Sequence, residues 1–249
     1  MFNFGPWVPR VLVRIFLLFT FALMPSRLLF GGTVNVTLDA KTLTSPSQGG
    51  VIVAPYYLDI NSSNNAPFTP GSLITVICDD FADHVSIGES WTANVTSLAT
   101  GDLSNTYFKS QPNALNLYEQ TAWLMLQTGL YGAPTDVATA GHANSIANIN
   151  FAIWQIFDSA VSGTSGWTSG TVTGGSAAWW LNEAATKAPT TLSFYNGVQI
   201  LTPVSNASYP DGRPQEYLAF TPEPSSVLLL GTGIAAIWSR RRNLFAGKR

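Results

Sequence analysis

The hydrophobic period of this chain changes twice, and that change limits its fold more than any other feature. Residues 33–40 (TVNVTLDA), parts of 51–60 and residues 72–78 (SLITVIC) alternate apolar and polar side chains at period two. That pattern predicts half-buried strands, with residues 91–98 as a fourth. After Pro112 the period lengthens. Leu117, Thr121 and Leu124 recur at helical spacing in 113–129, and Ile146, Ile149, Ile153 and Phe157 do so in 143–157. Gly129 ends the first helix. Ser176 caps a third helix over 177–188, and Pro189 stops it. Residues 198–204 and 216–220 return to strand character. Strands, then two to three central helices, then strands predict a single α+β domain. No long repeat points to a solenoid or propeller. Residues 159–176 (SAVSGTSGWTSGTVTGGS) are low in complexity and read as an exposed loop around Trp167.

Both ends are apolar. Arg10 and Arg14 precede IFLLFTFALM at 15–24, a length that fits a signal-peptide core and is short for a bilayer span. Processing is expected after Ser26 or at Gly31-Gly32, with an uncleaved anchor as the other reading. At the far end stand Pro222, Glu223 and Pro224, an uncharged apolar run over 225–238, and then Arg240, Arg241 and Arg242. Basic residues beside an apolar segment stay on the cytoplasmic side and stop transfer, so everything upstream lies outside. A packed core helix with a basic end is the alternative, although such a helix normally keeps a polar face. The expected division is a leader over 1–32, an exported domain over 33–220, and a C-terminal segment over 221–249 forming a hydrophobic anchor helix.

Charge follows the same division. The first 32 residues carry three arginines and no acid, while residues 33–221 hold four basic residues against thirteen acids. An acidic domain without clustered Lys or Arg excludes nucleic acid and anionic lipid as its ligand. Its Asn, Ser, Thr, Gly and aromatic content suits an extracellular module that meets polysaccharide or another surface. One cysteine, Cys78, makes an internal disulfide impossible, so the domain holds together through its core.

The order Pro-Glu-Pro, apolar run, basic cluster resembles the PEP-CTERM sorting signal of Gram-negative bacteria. That resemblance implies a membrane anchor before processing and an exosortase, a membrane protease-transpeptidase, as partner after the export translocon. It also implies a destination at the cell surface or in exopolysaccharide matrix. A second resemblance rests on ICDDF (77–81) and INFAIWQIF (149–157), with YEQTAWLMLQ between them. Their order resembles the thioester domains of bacterial surface adhesins, where a strand cysteine bonds the glutamine of a Gln-x-Ala-Ile-Trp motif. It implies Cys78 as sulfur donor and Asn150 at the carboxamide position. Asparagine is one methylene shorter, and packed cores resist the closer approach it needs. The other reading makes Cys78 a buried hydrophobe and Asn150 a hydrogen-bonded core amide.

Other chemistry is thin. Asp79, Asp80 and Asp83 lack the alternating pattern of a calcium loop, and His84 and His142 have no zinc spacing. No G-x-S-x-G elbow occurs, and no carboxylate pair stands out for glycosidase work. Trp167, Trp179 and Trp180 are candidates for stacking on sugar rings. The expectation is a non-enzymatic exported surface or matrix protein without cofactor or metal. A covalent adhesin and a polysaccharide-modifying enzyme are the alternatives.

Overall fold

The computed structural model describes residues 31–130, 145–170, 175–204 and 213–221. Eight strands form, six of them in a closed barrel. In chain order they are β1 (Gly31–Leu38), β2 (Ser47–Gln48), β3 (Val51–Ile52), β4 (Tyr56–Asn64), β5 (Leu73–Cys78), β6 (Ser90–Ser97), β7 (Val198–Pro203) and β8 (Tyr217–Phe220). The barrel order is β1-β4-β5-β8-β7-β6, and every neighbouring pair is antiparallel. Closure removes the unpaired strand edges that an open sheet would expose. A bulge between Asn35 and Val36 bends β1 where the wall curves.

The period-two pattern explains the barrel interior. On β1, Val34, Val36 and Leu38 are buried while the residues between them are only partly so. Trp91 of β6 stacks with Tyr217 of β8 across the interior at 6.0 Å. β7 breaks the alternation, since all six of its residues are buried. Both faces of that strand are therefore covered, one by the barrel core and the other by a helical layer.

That layer comprises α1 (Ala114–Gln127), α2 (Ser145–Phe157) and α3 (Ala177–Lys187), which pack on one another. Ser176 caps α3 by accepting from the Trp179 amide at 3.1 Å. The helix α2 rests on β5. The mixed α+β expectation holds, in the specific form of a six-stranded barrel with helices on one side.

Two local expectations need correction. β4 starts at Tyr56, because β2 and β3 form a separate small ribbon turned at Gly49-Gly50. The stretch from residue 159 is not a free loop. Val161 is buried, and Gly166 lies so flat on the Phe151 ring that an added Cβ would sit 2.0 Å from Cζ. Gln48 ties the ribbon to this turn by donating to Asn148 and to the Gly166 carbonyl. A flexible composition is held in place here by backbone contacts that only glycine permits.

Among the described residues no helix is long and apolar enough to cross a membrane. Residues 1–30 of the expected leader, the expected anchor helix, Pro222, Glu223, Pro224, Arg240, Arg241, Arg242 and His142 lie outside the described residues, whereas Gly31 and Gly32, the last two of the expected leader, open β1 and pair with β6.

Candidate functional site

Strand β5 ends at Ile77-Cys78 and runs on into Asp79-Asp80, and the extended backbone sends successive side chains to opposite faces. Cys78 points into the barrel. It is fully buried, stands opposite Tyr217 in the β5–β8 register, and donates to the Asp80 carbonyl at 3.1 Å. Burial pushes its thiol well up, with the charges of Asp80 and Asp79 adding to the effect. A contact from Trp154 of α2 offsets a part of this. A thiol so placed is held protonated and is a poor nucleophile.

Asn150 of α2 approaches the same turn, but through the backbone. Its Nδ2 donates to the Cys78 carbonyl at 2.8 Å, and its Oδ1 accepts from the Ala54 amide at 2.8 Å. Residues 54 and 78 lie on different segments, so one side chain clamps the lead-in to β4 against the end of β5. The sequence therefore located two residues that do meet. Their contact is amide to main chain, and the Cys78 sulfur is directed to Asp80.

Asp79 points outward, beneath the helical layer, toward Glu216. Both are fully buried. The Asp79 amide donates to the Glu216 carbonyl at 3.3 Å, bringing the two side chains alongside. Glu216 accepts from the Tyr118 hydroxyl of α1 at 2.5 Å, from the Tyr107 amide at 3.0 Å, and from the Thr202 hydroxyl of β7. Asp79 has no such donors on either oxygen. Burial raises both acids, and the neighbouring Glu216 charge raises Asp79 well above the ordinary carboxyl range. Three donors favour the ionised form of Glu216, so Asp79 is the member of the pair that keeps its proton.

Asp80 stands at the rim, where its Oδ1 accepts from the amides of Ala82 and Asp83 at 3.2 and 3.3 Å. Burial first, then Asp83, pushes it up to about 7. Arg213 pairs with Asp83 at 2.6 Å and lies 3.8 Å over the Tyr107 ring. Gln215 donates to the Asp80 carbonyl at 2.9 Å. The segment before β8 is thus fastened to the turn after β5 by a series of polar contacts.

Chemically, this is a buried pair of carboxyls where β5, β7 and β8 meet α1. Cys78, Asp79, Asn150 and Glu216 have no exposed surface through which to reach a substrate. Among the described residues no group of three His, Cys, Asp or Glu side chains could hold a metal ion. Of the candidate tryptophans, Trp180 is buried and Trp167 and Trp179 are half-buried against the core. Sequence reasoning missed Glu216, Tyr118 and Thr202, which lie far from Asp79 along the chain. The one local signal was a glutamate placed directly before the apolar run YLAF.

At its far end β8 leads out of the barrel. Thr221 remains attached, its amide donating to the Gly197 carbonyl at 2.8 Å and its hydroxyl to the same oxygen at 3.2 Å. Gly197 has φ +87, and a Cβ there would lie 2.5 Å from the Thr221 carbonyl oxygen. Beginning at Phe220, residues 220–243 match the family model for the PEP-CTERM protein-sorting motif. The tail carries a PEP-CTERM sorting motif. No curated protein and no solved structure matches the chain. The motif supports exosortase as the processing partner and export with a membrane-held C-terminus before processing. The thioester-domain resemblance finds no support in the comparisons.

Proposed function

We propose that this is an exported, exosortase-sorted protein whose barrel and helical layer form a non-enzymatic interaction module at the cell surface or in an exopolysaccharide matrix. The observation that carries the reading is the sorting motif joined directly to the last barrel strand at Phe220. The leader over 1–32 and the acidic domain over 33–220 fit the same route. What favours a non-enzymatic body is the sealing of its unusual carboxyls beneath the helical layer and of its thiol inside the barrel. Catalytic groups must come within hydrogen-bond reach of a substrate.

Fractionation of a bacterium that expresses the full chain, with and without its exosortase, tests this reading. The expected result is surface or matrix protein in the parent and accumulation in the inner membrane without exosortase. Protein recovered from the cytosol in both strains overturns the proposal. Turnover of the host's exopolysaccharide by the purified protein, abolished by Asp-to-Asn variants, overturns its non-enzymatic part.

A further inference from the structure

Strict alternation of direction in a closed barrel gathers three strand starts and three strand ends at each rim. One rim holds the starts of β1, β5 and β7 and the ends of β4, β6 and β8. Gly31 and Phe220 therefore lie at the same end of the barrel. Both apolar segments of the sequence are reached from that end, the N-terminal one through residues 25–30 and the C-terminal one through Pro222, Glu223 and Pro224.

The C-terminal connection is the shorter. Thr221 is still hydrogen-bonded to Gly197, and three residues can reach at most about 10 Å, at about 3.3 Å each, before the apolar run begins. That reach is close to the depth of one headgroup layer, about 5–8 Å from the difference between whole-bilayer and hydrocarbon thickness. A barrel so tethered has no room to turn its other end to the membrane.

Charge is divided the same way. At the Gly31 end the stretches next to the strands, residues 65–72, 98–101 and 192–197, contain no charged side chain; Asp102, Lys187, Arg27 and Glu223 are the nearest charges along the chain. At the opposite end stand Asp39, Lys41, Asp80, Asp83, His84, Glu89 and Arg213. Bringing ions up to a low-dielectric slab weakens their hydration, whereas uncharged Asn, Ser, Thr and Pro side chains meet headgroups without that penalty.

We infer that the barrel stands on the lipid headgroups of the membrane that holds its tail, with its Gly31 end down and its more highly charged Cys78 end facing away. The inference rests on the proposed sorting function for the membrane itself, and adds which face meets it. Before processing, the distal end is the face open to other surface components.

The buried Cys78 makes the test direct, because an added surface cysteine is the one thiol that labels in the folded protein. Full-length chains carrying T69C or F194C at the Gly31 end, and L43C or I87C at the other, are labelled with a fluorophore. Each is reconstituted in vesicles of phosphatidylethanolamine and phosphatidylglycerol containing a lipid with a nitroxide on its headgroup. All four positions are exposed, two per end guarding against a variant that fails to fold. Quenching at least about threefold stronger for T69C and F194C is expected. Equal quenching at both ends, or the reverse order, in protein that floats with the vesicles overturns the orientation alone. Protein that does not float with vesicles overturns the membrane-held tail, and the orientation with it.

Discussion

Cys78 and Asp79 are neighbours on one strand, and they sit in opposite chemical worlds. Cys78 faces an interior closed by Tyr56, Tyr217 and Trp91, where packing is aromatic and aliphatic. Asp79 faces a seam between barrel and helices that is stitched by carboxyls, hydroxyls and amides. The interior closes on shape and transfer energy, which tolerate small changes in volume. The seam closes on satisfied polar groups, where losing one partner strands several others. The seam also titrates, whereas the interior does so only through groups that burial holds neutral.

Replacing the acceptor at the centre of the seam gives the largest expected effect. Glu216→Ala leaves Tyr107, Tyr118 and Thr202 without their acceptor and is expected to cost about 3–5 kcal/mol, from about 1–3 kcal/mol for each unsatisfied buried group. Urea unfolding measures it. A cost under about 1 kcal/mol contradicts the network. Asn150→Ala comes next, at about 2–3 kcal/mol, because the Ala54 amide and Cys78 carbonyl each lose their bond. Protection of the Ala54 amide from hydrogen exchange should fall with it. Cys78→Ala, a small deletion in an apolar interior, is expected to cost only about 1 kcal/mol. If it matches Glu216→Ala, the contrast between the two faces is wrong.

The pH response sharpens the same contrast. Asp80 at about 7, and Asp79 held well above the ordinary carboxyl range by burial and the Glu216 charge, keep protons in the folded state that an unfolded chain releases near pH 4. Stability is therefore full below about pH 4 with respect to these groups and falls as pH rises to 7. It falls further wherever rising pH takes the proton from Asp79 and leaves two buried negative charges. In Asp79→Asn a neutral amide takes the place of the protonated carboxyl. Its stability at pH 7 should stay close to that of the parent, while the part of the decline that comes from Asp79 is lost. Urea midpoints at pH 5, 7 and 9 for both proteins decide the matter; an unchanged decline excludes Asp79 as its source.

These differences explain what the sequence disclosed. Alternation exposed β1, β4, β5 and β6, since each has one face toward the barrel core, and the helices followed from Ile146, Ile149 and Ile153. β7, buried on both faces, still read as a strand through Val198, Ile200 and Leu201. Closure was invisible, because it depends on β8 entering between β5 and β7, and nothing local encodes a partner so distant. Ala152-Ile153-Trp154 drew attention to Asn150 for a side-chain reaction, whereas main-chain pairing with Ala54 and Cys78 has no sequence signature. Glu216 stayed hidden for the same reason. The sorting tail, by contrast, was legible throughout, because its three unlike elements are read in order along the chain and need no fold.

The mass of the protein recovered from the cell surface tests the sorting route most directly. A chain that has lost its leader and ends close to Pro224, with β8 and Thr221 retained, is expected only in cells that contain an exosortase. Recovery of an unprocessed chain with residues 225–249 still attached, whether or not exosortase is present, would contradict it.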